Sequence, residues 1–172
     1  MKNPLFLLLS IIITLAGCSG NNELKEEPMD VQGMMELDLS QYGLNVTLMV
    51  PDSSIGTLEV MAQSYGDIEV RVGTFFQIKI APGGDIALKK SDLESDLLFK
   101  TTILSETPEL LIYKSDLPDG SKSYHHFYMI KKVLGANYEI RDIEESGESF
   151  SEAIVKKMVE AANSIKDKPK AS

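Results

Sequence analysis

The 172-residue chain contains no tryptophan, two histidines and a single cysteine, Cys18. Each shortage removes a class of chemistry. One thiol forms no intramolecular disulfide, so the fold must be held by its core. It cannot build a multi-cysteine zinc site, and two histidines are too few for a three-histidine zinc centre. The phosphate loops Gly-x-x-x-x-Gly-Lys and Gly-x-Gly-x-x-Gly are missing, as are the Gly-x-Ser-x-Gly elbow and the Ser-x-x-Lys pair of serine hydrolases. Without tryptophan, a sugar-handling cleft would have to lean on Tyr65, Tyr113, Tyr124 or Tyr138. Basic charge is also scarce, 17 Lys and Arg against 26 Asp and Glu, for a net charge of −9. That balance repels nucleic acid, whose binding rests on cations that neutralise phosphates. It equally disfavours electrostatic adhesion to anionic lipid heads.

What is present begins with one apolar run. Leu5 to Leu15 follows Lys2 and precedes Leu15-Ala16-Gly17-Cys18. The run is about a dozen residues, short of the roughly 20 that a spanning helix needs. A basic start, a short apolar stretch and small residues before a break are the layout of a cleavable secretion signal. Leu-Ala-Gly-Cys resembles the lipobox of bacterial lipoproteins. The resemblance implies a diacylglycerol on the Cys18 sulfur, cleavage just before Cys18, and a further acyl chain such as palmitate on the new amino group. Residues 1–17 are then a signal peptide, and loss of Lys2 takes the net charge to −10. Each buried methylene contributes about 0.8 kcal/mol, so two or three chains anchor the protein stably. The expected location is the cell envelope, lipid-anchored at the outer membrane, with the domain periplasm-facing or surface-exposed.

Residues 18–33 are polar and acidic, which predicts a flexible tether. Some fifteen residues of coil reach roughly 20 Å. Lys25-Glu26-Glu27 resembles the acidic export signal of surface lipoproteins in Bacteroidetes, with simple tether solubility as the other reading.

From Met34 onward the text becomes short alternating runs, and residues 34–166 are predicted to form one α+β domain. Leu37 and Leu39 share one face, and Val46, Leu48 and Val50 follow up to Pro51. Leu58 and Val60 suggest a further strand. Ile68, Val70 and Val72 alternate with Glu69 and Arg71, and Gly73-Thr74 turns the chain into Phe76, Ile78 and Ile80. Asp85 to about Lys100 loses the period of two and predicts a helix, with a capping restart at Ser91 and Glu94. Strands resume over 109–114, 124–133 and 137–143. The last element is an amphipathic helix that Ser149 and Glu152 would cap, with Phe150, Ile154, Met158, Ala162 and Ile165 on its apolar face. Such a helix packs on a sheet. Residues 167–172 form a polar tail, and fraying is expected from Lys166 onward.

The order of strands, one helix, strands and a closing helix is similar to the PsbP-like fold. The matching stretches are Tyr42 through Pro51 at the start and Ser149 through Lys166 at the end. That resemblance implies binding and assembly rather than catalysis.

Three polar clusters have bland and functional readings. On a strand, His125 and His126 point to opposite faces and cannot grip one metal together. The simpler reading packs one against Tyr124 or Tyr128 and leaves the other in water. On a helix Asp92 and Asp96 share a face with solvent. No calcium-loop pattern of alternating ligands, glycine and terminal glutamate follows them. Glu144, Glu145 and Glu148, near Gly147, read as a soluble loop.

No catalytic, cofactor-binding or metal-ligating residue is assigned; the one site residue is Cys18, for lipidation. The expectation is a lipid-anchored envelope protein, not an enzyme, with a binding or assembly role. Its partners are the membrane through Cys18 and another envelope protein. The alternatives are a hydrolase whose carboxylates pair only in space, and a carrier of a small ligand. Cys18→Ala is expected to move the protein out of the membrane fraction. Cell fractionation checks this, and unchanged membrane recovery would refute the anchor.

Overall fold

A computed structural model describes residues 33–144, 147 and 149–168. The predicted leader, Cys18, the predicted tether up to residue 32, Glu145, Ser146, Glu148 and residues 169–172 lie outside the described residues. The fold is α+β. In chain order it runs β1 (Met34–Asp38), β2 (Val46–Pro51), β3 (Leu58–Ala62), β4 (Ile68–Val72), β5 (Phe76–Pro82), α1 (Ile86–Ser95) and β6 (Lys100–Glu106). It continues with β7 (Leu110–Asp116), β8 (Ser123–Val133), β9 (Ala136–Asp142), α2 (Glu152–Asn163) and β10 (Lys166–Asp167).

The strands make two antiparallel sheets. The larger has the order β3-β4-β5-β9-β8-β7-β6, the smaller β1-β2-β10. Alternation along each strand sends successive side chains to opposite faces. Phe127, Met129 and Val133 of β8 point into the main core with Ile78 and Ile80 of β5 and Ile140 of β9. The small sheet and α2 cover that face, adding Leu48, Val50, Val155 and Met158. The other face carries a smaller cluster, Leu111, Tyr113 and Tyr128, against which Ile86 and Leu93 of α1 pack.

α2 starts two residues later than the sequence suggests. Ser151, not Ser149, is the N-cap, and its side chain accepts from the Ile154 N–H. Ser149 instead donates to the Ser123 carbonyl. Phe150 and Val155, both buried, occupy the N′ and N4 positions of a hydrophobic staple. The apolar face is wider than predicted, since Val155, Val159 and Ala161 are buried beside Met158 and Ala162. At the other end the Lys131 ammonium donates to the Ala162 and Asn163 carbonyls, where the helix dipole favours a cation. Ser164 ties the helix to β2 by accepting from the Met49 N–H at 2.7 Å.

The chain past α2 does not fray at once. Lys166 and Asp167 pair with Thr47 and Val46. Lys166 bonds Glu36, and Lys168 bonds Asp38 at 2.5 Å. α1 is shorter than the predicted stretch. Asp85 caps it by accepting from the Ala87 and Leu88 N–H groups, Ser91 lies in its interior, and it ends at Ser95. Residues 100–106, none of which the sequence pattern assigns to a strand, form the edge strand β6. Its pairing with β7 shifts between Ile103 and Ser105, a bulge that breaks the period of two at Leu104.

Ser151→Ala is expected to cost about 1 kcal/mol of stability, the usual worth of an N-cap hydroxyl. Ser149→Ala should cost clearly less, and urea unfolding of the two variants compares them. Met158→Ala, at a fully buried site, should cost about 2–5 kcal/mol.

Candidate functional site

The face of the large sheet turned towards α1 carries the molecule's polar–aromatic centre. It exists because β8 places Tyr124, His126 and Tyr128 on that face, and β7 places Tyr113 directly across from His126. The His126 ring lies 5.0 Å from that of Tyr113 and 6.3 Å from that of Tyr124, nearly parallel to the latter. Phe99, in the link between α1 and β6, meets Tyr124 edge-on at 5.8 Å.

Behind these rings the ladder between β8 and β9 ends at Tyr128 and Arg141. One residue further, Asp142 turns a fully buried carboxylate into the seam. Its Oδ1 accepts the Phe127 N–H at 2.9 Å, and its Oδ2 lies 2.7 Å from His126 Nδ1. A carboxylate only accepts, so Nδ1 carries the proton and Nε2 is the ring's second nitrogen. A buried carboxylate demands such partners, since each unmet lone pair is costly away from water.

A second network runs beside it. The Tyr113 hydroxyl donates to Glu144 at 2.5 Å, and the Lys89 ammonium of α1 bonds the same oxygen at 2.8 Å. That ammonium also stands 5.4 Å from the Tyr113 ring centre and 5.9 Å from that of Tyr128. Burial, with the negative charges of Glu144 and Asp142, pushes the Tyr113 hydroxyl far above its ordinary value. Burial and the bond to Glu139 push Tyr128 up to about 12. For Glu144 burial acts upward, but Lys89 and the Tyr113 hydroxyl outweigh it, and the carboxyl lies below its usual range. α1 approaches this closely because Gly84 has φ +103°. A Cβ there would sit 2.3 Å from Ile130 Cδ1. The Asp85 N–H then reaches the Tyr128 hydroxyl at 3.1 Å.

Two adjoining hollows open between α1 and the sheet. One, about 230 Å³, is lined by Asp96, Phe99, Tyr113, Tyr124, His126 and Glu144, among others. The next, about 290 Å³, shares Leu93, Asp96 and Phe99 and reaches Lys100, Thr101 and Ile103 of β6. The Thr101 hydroxyl is buried there with no hydrogen-bond partner among the described residues. Beyond lie the exposed aliphatic side chains Leu97, Leu98, Ile103 and Leu104, the first two 96% and 72% exposed.

The sequence candidates fall as follows. His125 and His126 point to opposite faces, as strand geometry requires. His126 packs between tyrosines, but His125 bonds the Phe150 carbonyl at 3.2 Å instead of standing in water. Asp92 is exposed on α1. Asp96 does not share its helical face: it lies past the last turn with extended backbone, and Oδ1 accepts the Leu98 and Phe99 N–H groups. Glu144 keeps a 36% exposed side chain, as a loop residue would, yet it also bonds Tyr113 and Lys89. Tyr65 is 68% exposed, and Tyr138 packs against the main core. Among the described residues no three His, Cys, Asp or Glu side chains converge as a metal site. The sequence reading missed Asp142 and Lys89. One signal was present: Asp142 stands where the alternation after Ile140 calls for an apolar residue. Compared with protein-family models, curated proteins and solved structures, the chain finds no match.

Lys89→Met is expected to destabilise the fold by about 1 kcal/mol at pH 7, the scale of a partly exposed ion pair. Glu144 has a lowered folded pKa, so this contribution is present above its unfolded value of 4.5 and is lost as pH falls through the folded value. The difference between variant and wild type should therefore shrink at acid pH, as urea unfolding across pH checks.

Proposed function

We propose that the protein is a lipid-anchored component of the cell envelope, held through Cys18, whose domain binds and positions another envelope protein. The lipobox resemblance supports the anchor. The edge strand β6 supports the binding role. Natural sheets cover or blunt their edges with charge and proline, because an unpaired strand edge templates further pairing. β6 has seven residues, carries Lys100 and Glu106 only at its ends, and exposes Ile103 and Leu104 between them. The opposite edge, β3, has Glu59 near its middle. An extended segment of the partner, added alongside β6, would gain main-chain hydrogen bonds there. Alternate side chains of that segment would enter the hollow lined by Thr101 and Ile103. Leu97 and Leu98 add an apolar shoulder at the entry to the strand. A binding role also accords with the absence of catalytic motifs.

Crosslinking in intact cells is expected to capture one reproducible envelope protein. Each leucine covered by a partner contributes about 1.5–3 kcal/mol. Leu97→Asp combined with Leu98→Asp should therefore abolish the crosslink and leave the unfolding midpoint unchanged. Capture that survives the double variant would refute β6 and its shoulder as the docking surface.

A further inference from the structure

The hollow under α1 has a chemistry that the docking of a strand on β6 does not use. Its walls are aromatic: Phe99 and Tyr124 stand at 86° to one another and form a corner, and Tyr113 and His126 continue the floor. Its charged lining is acidic. Asp96 and Glu144 line it, and no lysine or arginine does among the described residues. Glu144 is answered by Lys89. Asp96 spends Oδ1 on two backbone N–H groups and makes no ion pair among the described residues. The adjoining ring faces already receive a cation, since the Lys89 ammonium lies over Tyr113 and Tyr128. Ring faces attract cations through their quadrupole, and most strongly where water is excluded.

We propose that this hollow binds an alkylammonium group, with Asp96 as its counter-ion and Phe99 and Tyr124 as its aromatic wall. At about 230 Å³ the space suits a small cation or a headgroup rather than a drug-sized molecule. Asp96 fixes the corner as well as the charge, because its turn to Leu98 and Phe99 sets where the Phe99 ring stands. The proposal is independent of the lipid anchor and of a partner at β6, and it fails or survives separately from both.

Calorimetric titration of the purified full-length chain with choline, and with its neutral isostere 3,3-dimethylbutan-1-ol, tests it. Choline should bind about tenfold more tightly, as one desolvated cation–aromatic contact predicts. Asp96→Asn keeps an acceptor for the turn and removes the charge; it should weaken choline several-fold and leave the isostere unchanged. Tyr124→Leu should weaken choline about tenfold, whereas Tyr124→Phe should retain it. Equal binding of cation and isostere, no saturable heat in the millimolar range, or choline binding unaffected by both Asp96→Asn and Tyr124→Leu would overturn it. The Cys18→Ala chain on phosphatidylcholine vesicles, with and without saturating choline, separates the two sources of the group. Sedimentation that choline abolishes assigns a lipid headgroup, and choline binding without sedimentation assigns a free amine.

Discussion

The hydrogen bond of a fully buried carboxylate to a histidine ring, Asp142 to His126, sits where the two halves of the molecule meet. It lies at the seam where β8 and β9 part, and the same carboxylate accepts the Phe127 N–H. Phe127 points into the main core and His126 towards α1. One side chain therefore holds the backbone of the core strand and the orientation of the ring on its other face. A carboxyl group buried without partners would be costly; together the two neighbours supply the bonds that desolvation removes.

The remaining polar groups on this face follow from the same economy of partners. Tyr113 is buried across from His126 and needs an acceptor, which Glu144 supplies. Glu144 in turn needs a cation, which Lys89 supplies from α1. No residue of α1 is buried. The helix is held by Ile86 and Leu93 on the small cluster, the Lys89 bridge, the Lys90 bridge to Glu106, and the Asp85 contact with Tyr128. A helix attached by a few polar ties rather than by a wide apolar face leaves space beneath it, and the two hollows are that space.

The parts of the fold legible in the sequence were those where one face is fully covered. β4 and β5 alternate cleanly because Ile68, Val70, Val72, Ile78 and Ile80 all enter the core. α2 was legible in type and in most of its face, and only its cap was displaced, since Ser149 and Ser151 compete for the same role two residues apart. β6 was not legible, because all its residues but Thr101 are exposed and the bulge at Leu104 sets two aliphatic residues side by side. α1 was over-extended for a related reason: a helix with no buried face has no period with which to mark its end. The site was legible in the rule that His125 and His126 diverge and in the packing of one of them, His126, against Tyr124. Its other members, Lys89, Tyr113, Asp142 and Glu144, are up to 55 residues apart in the chain and meet through sheet order alone.

The smaller sheet has a consequence for orientation. β1 lies on one side of β2 and β10 on the other, so the described chain enters and leaves the domain through the same three strands. Those strands belong to the layer that shelters the main core, on the side of α2. The described chain therefore begins and ends on the α2 side of the large sheet, and α1 with its recess occupies the opposite face.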